Sequence, residues 1–139
     1  MERTATEQTK IIIGQFGQAL TSRHLDSILP LFADMVDWYI PGNQAVAPWL
    51  GRRTNKTEIA EFFRVLWKNT EPVSAIVEHI LVEDDFGIVT GEFSTRMLST
   101  GKIVDSLFSI HLTVSGNKIT RYRLQEDSYA VMVAMTHEK

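Results

Sequence analysis

Four polar residues recur at every second position near the end of this chain: Arg121, Arg123, Gln125 and Asp127. In an extended strand alternate side chains share a face, so the four make one polar row. Such a row either lines a wet pocket or faces solvent. A carboxylate held in a low-dielectric cavity has a raised pKa and can donate or accept a proton at neutral pH. A neighbouring guanidinium pulls the pKa down again and keeps the charge. Asp127 is thus the first candidate for general acid or base, with Arg123 and Gln125 as candidate ligand contacts. The plainer reading is an Arg–Asp pair at a sheet edge or an assembly surface.

Two further residues could assist. His111 shares its strand phase with Asp105, Leu107, Ser109 and Thr113, opposite to Phe108, Ile110 and Leu112. An imidazole titrates near neutral pH, which suits proton transfer, although a lone strand histidine also serves as a hydrogen-bonded structural or surface residue. Tyr39 shares a face with Asp37, while Trp38 and Ile40 take the other. Tyr39 is either a hydrogen-bond donor to a ligand or an aromatic sealing the core with its hydroxyl at the rim. The candidate binding wall comprises Asp37, Trp38, Phe16, Phe63 and Trp49, the last in a long loop beside Pro48 where it could act as a lid.

Other chemistries lack their residues. There is no cysteine, so disulfides and thiolate nucleophiles are excluded. His24 and His79 stand without partner spacing, and no H-x-x-x-H or H-x-H pair occurs, so no metal is expected. GxGxxG, Walker and GxSxG motifs are missing, which leaves nucleotide binding and serine hydrolysis unsupported and implies no cofactor. A net charge of −3 with scattered Lys and Arg argues against nucleic acid. No apolar run approaches the roughly 20 residues of a membrane span. The polar start MERTATEQTK does not read as a signal peptide, so a cytoplasmic location is the expectation.

These residues must be positioned by a chain of 139 residues, 44% apolar and 22% charged, a usual balance for one globular domain spanning 1–139. Thr4 and Glu7 fit a capping box, and Ile12, Ile13, Phe16, Ala19 and Leu20 follow the helical period. Gly14 and Gly17 weaken that helix or let another element approach. Leu25, Ile28, Leu31 and Phe32 suggest a second, shorter helix that must start near Asp26, because Pro30 is tolerated only in a first turn. Met35–Ile40 reads as a strand, 42–54 as a loop, and Asn55 with Glu58 as the cap of a third helix carrying Ile59, Phe62, Phe63, Leu66 and Trp67.

Beyond Pro72 the period becomes two. Val73–Val82, Ile88–Leu98, Ile103–Val114 and Ile119–Asp127 are four strands separated by short turns, hence antiparallel neighbours. Helices followed by such a meander pack as two layers, and long strands curl, which leaves a cone-shaped cavity. Strands apolar on both faces bury both; with helices on one side only, the other is expected to meet a second copy in a homodimer.

The stretch Val36-Asp37-Trp38-Tyr39-Ile40-Pro41-Gly42, then Trp49-Leu50-Gly51 and Ile59 to Phe63, resembles SnoaL-like and ketosteroid-isomerase-like proteins of the nuclear-transport-factor-2-like superfamily. The ending from Gly116-Asn117-Lys118-Ile119 to Asp127 is similar to their last hairpin. The resemblance implies an α+β, cystatin-like cone: three N-terminal helices packed on a strongly curved, mostly antiparallel sheet. It also implies a small hydrophobic, oxygenated ligand handled by acid/base chemistry, or a binding or protein-interaction domain that has lost that chemistry. A steroid isomerase of this kind needs a helix-1 tyrosine and a base before the strand-1 proline; Phe16 and Ile40 stand at those places, and neither can donate or take a proton. An epoxide-hydrolase relay needs an Arg and an Asp where Phe93 and Thr95 stand. Asp127 matches the closing acid of that relay and of the SnoaL-like cyclases.

Overall fold

A computed structural model of the chain describes residues 4–137. The first helix, α1 (Ala5–Ser22), starts where predicted: the Glu7 amide donates to the Thr4 hydroxyl at 3.1 Å, relieving an orphan donor. Its buried stripe is Ile12, Ile13, Phe16 and Ala19. Gly14 and Gly17 lie on the opposite side, where an added methyl would meet nothing within 4 Å. They admit no close approach and only lower helix propensity. The helix ends at Arg23 in the left-handed conformation (φ 52°), whose amide returns to the Ala19 and Leu20 carbonyls.

The second helix is shorter than expected. α2 (Leu25–Ile28) tightens into a 3-10 turn at Leu29–Leu31, where Pro30 is accommodated in the opening turn, and Phe32 already belongs to a strand. α3 (Lys56–Asn69) is capped by Asn55, which accepts from the Glu58 amide at 2.9 Å. The Glu58 carboxylate accepts in return from the Thr54 amide at 2.7 Å and the Thr54 hydroxyl at 2.9 Å. Ile59, Ala60, Phe62 and Phe63 form its buried side.

Six strands follow the order β2-β1-β6-β5-β4-β3 in one curved, open sheet. They are β1 (Phe32–Ile40), β2 (Gly51–Asn55), β3 (Thr70–Glu83), β4 (Phe86–Met97), β5 (Ile103–Ser115) and β6 (Lys118–Glu126). All neighbours are antiparallel except β1 and β6. The α+β cone expected from the sequence is therefore the fold. β2 lies within the stretch expected to be loop. A fourth helix, α4 (Ser128–Ala134), begins where the last strand was expected to end in Asp127.

β3 forms one edge of the sheet and is exposed almost throughout after Thr70. Pro72 is tolerated there because an edge strand can spare a donor, and the register shifts between Pro72 and Ser74. The concave face of the sheet carries an aromatic core. Trp38 stacks on Tyr122 at 4.0 Å with rings 13° apart, and Phe16, Phe32, Phe62 and Phe63 meet this pair edge-on or tilted. Offset and edge-to-face contacts suit the ring quadrupoles, and these rings are buried together in the core.

Candidate active site: an acid in an apolar cavity

Beyond the aromatic plug the cone opens into a cavity of about 200 Å³. Its wall is built by Trp49 from the loop before β2, Phe62 and Leu66 from α3, Phe93 and Thr95 from β4, Leu124 and Glu126 from β6, and Val131 from α4. Arg23 stands on the same wall from the C-terminal cap of α1. Loop and helix are tied together through Arg53. Its guanidinium donates to the Glu58 carbonyl at 2.6 Å and the Trp49 carbonyl at 3.4 Å, holding the buried Trp49 in place.

Glu126 is the acid of this cavity. It follows Tyr122 and Leu124 on the inward row of β6, opposite Phe108 of β5. Its carboxyl group makes no hydrogen bond or ion pair among the described residues. Burial among apolar neighbours disfavours the charged form and pushes its pKa up to about 7; the adjacent Asp127 charge adds to the shift. A carboxyl group titrating near neutrality can both give and take a proton. Tyr122, two repeats of the pleat deeper, is fully buried, and its phenol is pushed above its ordinary range by burial first and by Glu126 second.

The polar row named from the sequence lies elsewhere. Arg121, Arg123 and Gln125 alternate with the inward residues and point to the outer face of the sheet, the second of the two positions the sequence left open for them. Arg123 grips Asp37 with Nη2 at 2.9 Å from both carboxylate oxygens and donates from Nη1 to the Asp37 carbonyl at 2.7 Å. This pairing, with Arg121 Nε at 3.7 Å, holds the Asp37 carboxyl below the usual range. Tyr39 sits beside them under the Arg52 guanidinium, 4.3 Å from ring centroid to carbon. His111, opposite Arg123 in register, shares a 2.9 Å hydrogen bond with Ser109 and meets Phe86 edge-on.

Asp127 is exposed at the strand end and caps α4, accepting from the Ala130 amide at 2.9 Å while its own amide donates to Ser106 Oγ at 2.9 Å. It borders an outer groove with Gln125, Ser109 and Leu107, and Glu126 borders that groove as well as the cavity. The geometry gives Asp127 the work of a helix cap. Of the expected binding wall, Trp49 reaches the cavity. Phe16, Trp38 and Phe63 lie behind it in the aromatic core, where the 1% exposure of Trp38 leaves no room for contact. Trp38 Nε1 is buried there with no partner among the described residues.

The sequence reading missed Glu126, Phe93, Leu124 and Arg23 as wall residues. A signal for Glu126 existed: an acid closing the otherwise apolar row Tyr122, Leu124. Among the described residues no group of three His, Asp or Glu converges as a metal site, and no helix is long and apolar enough to cross a membrane.

Residues 13–122 match the model of the SnoaL-like domain. No curated protein matches the chain. Among solved structures, an NTF2-like protein from Burkholderia xenovorans LB400 superposes with a TM-score of 0.85 at 21% identity, covering 94% of this chain and 98% of that one. A protein from Rhodopseudomonas palustris described as an isomerase gives 0.79 at 18% identity, over 89% and 94% of the two chains. An LEH-like epoxide hydrolase of M. tuberculosis gives 0.72 at 14% identity, over 94% and 90%. At these identities the likeness is one of fold.

Proposed function

The chain belongs to the SnoaL-like domain family, and we propose that it is a cofactor-independent enzyme acting by acid/base chemistry on a small, hydrophobic, oxygenated molecule. The observation that carries this reading is Glu126: a carboxyl group with no partner among the described residues, in an apolar cavity, titrating near pH 7. In this reading Glu126 transfers the proton, Trp49, Phe62 and Phe93 hold the apolar body of the substrate, and Asp127 keeps α4 over the cavity. Screening cyclic epoxides and enones for turnover tests it. Glu126→Gln is expected to lower kcat by about 10²–10⁴-fold with binding retained, the usual worth of a general acid or base. Asp127→Asn, which still caps, is expected to keep full activity. Undiminished turnover in Glu126→Gln would overturn the assignment.

A second reading, a binding domain without chemistry, is favoured by one feature. Glu126 has no hydrogen-bonding neighbour to orient it, and Phe93 and Thr95 occupy the facing strand where relay partners would stand. It predicts ligand binding without turnover.

We also propose that the outer face of the sheet pairs with a second copy of this chain. Its β2-β1-β6 half carries Arg52, Arg121 and Arg123, its β3-β4-β5 half carries Glu78, Glu92 and Asp105, and the exposed apolar residues of this face are Leu107 on β5, 66% exposed, and Ile76 and Leu81 on the edge strand β3. A two-fold axis lays the basic half of one copy on the acidic half of the other and buries Leu107 with its apolar neighbours. Sedimentation of the intact chain is expected to give a dimer, and Leu107→Glu a monomer with unchanged helical content. A monomeric wild type at micromolar concentration would refute the pairing.

A further inference from the structure

The cavity has a second charged residue on its border, the solvent-exposed Arg23, whose position restricts the ligand further. Arg23 lies on its wall at the point where α1 ends, in a left-handed conformation that turns the chain out of the helix. The guanidinium carbon stands 5.8 Å from the Trp67 ring centroid, so the group rests against an indole. It makes no ion pair among the described residues. It also forms none with Glu126, although both border the same space, so the cavity has one cationic and one carboxylic station with a mostly apolar interior between them. A guanidinium offers a planar fork of donors that matches a carboxylate or an enolate.

We propose that the cavity binds a small cyclic organic anion, with its carboxylate or enolate at Arg23 and its ring between Trp49, Phe62 and Phe93. This deepens the reading of the previous subsection and rests on it only for the role of Glu126 at the far station. A space of about 200 Å³ is worth roughly seven water molecules, which suits one ring with its substituents rather than a fused polycycle. The apolar wall supplies affinity for the ring, and Arg23 supplies selection for the charge.

The neutral form of Glu126 is part of this selection. Ionised, it would place a second negative charge in the same low-dielectric space and oppose the ligand. The ionisable groups around it are Arg23 from the end of α1, Asp127 at the start of α4, Tyr122 on its own strand, and Glu78 of β3 and Asp105 of β5 along the outer groove. The wall residues from α3 and β4 are Phe62, Leu66, Phe93, Thr95 and Met97, none of which titrates. Anion affinity is therefore expected to fall as pH rises through about 7, where Glu126 ionises.

Calorimetric titration of the full chain with benzoate and with benzamide at pH 6 tests the proposal. Benzoate is expected to bind at least about tenfold more tightly, the factor that one charge-assisted hydrogen bond supplies. Arg23→Gln removes that preference and Arg23→Lys restores part of it. Val131→Trp, which fills the cavity, abolishes binding of both. In Glu126→Gln the preference persists and loses its pH dependence, so a failure of the proton-transfer reading leaves this outcome intact. Equal affinity for the two probes, or a preference untouched by Arg23→Gln, would overturn the proposal. Benzoate binding that survives Val131→Trp would place the anion on the outer Arg52, Arg121 and Arg123 surface and would overturn it equally.

Discussion

Along β6 the inward residues Tyr122, Leu124 and Glu126 alternate with the outward residues Arg121, Arg123 and Gln125. The outward row is the more polar by composition, but the carboxyl group that borders the cavity lies on the inward one. On the outer face Asp37 meets both opposite charge and water: it is gripped by Arg123, half-exposed, and keeps its proton off more readily than usual. On the inner face the Glu126 carboxyl group has no ion-pair partner among the described residues and is largely desolvated, and its proton affinity rises. What raises a proton affinity here is the scarcity of partners, which counting polar residues along a strand does not reveal.

Substitutions that separate the two rows break or sharpen this contrast. The largest effect is expected at Tyr122, which carries the stack on Trp38: Tyr122→Ala costs about 3–5 kcal/mol of stability, as for other large-to-small core changes, while Arg121→Ala stays within about 0.5 kcal/mol. Equal costs in denaturant unfolding would erase the distinction between the rows. Next is the pH dependence set by Glu126. Its folded pKa of about 7 lies above the ordinary 4.5, so the folded state binds the extra proton, and stability falls as pH rises from about 4.5 to 7 and then levels. The loss is on the order of 3 kcal/mol. Glu126→Gln should flatten that slope; a slope unchanged in the variant would assign it to other groups. The smallest effect belongs to Asp127. Asp127→Ala is expected to cost about 1 kcal/mol by uncapping α4, and Asp127→Asn to be near neutral. A neutral Asp127→Ala would remove its capping role.

Much of the fold could be read from the sequence because its signals are local. The i, i+3, i+4 stripe of Ile59, Phe62 and Phe63, the Thr4 and Asn55 caps and the period-two strands each express a constraint acting within a few residues. β2 escaped because Gly-Arg-Arg-Thr-Asn has no apolar alternation; it is a strand through its pairing with β1, from Ile40↔Gly51 to Met35↔Asn55. α4 escaped because seven residues, mostly small and apolar, show no period that separates helix from strand.

The site was less legible. Arg121, Arg123 and Gln125 do share a side of β6, while Asp127 lies past the strand end as the cap of α4; which side faces the cone depends on the pairing of β6 with β1 and β5. That pairing includes a register shift between Thr113 and Val114, which makes Ile119 and Tyr122 both buried although three residues apart. Nor could any local pattern place Arg23 on the same wall as Glu126, since they lie at opposite ends of the chain and meet only through the packing of α1 on the sheet.

The central claim, that the cavity holds a carboxyl group poised near neutrality, is tested most directly by titrating Glu126 itself. Carbon-detected NMR of its side-chain carboxyl across the pH range, assigned with Glu126→Gln, is predicted to give a midpoint near 7. A midpoint at the ordinary glutamate value, near 4.5, would contradict the account, because the acid would then be ionised and solvated like those on the outer face.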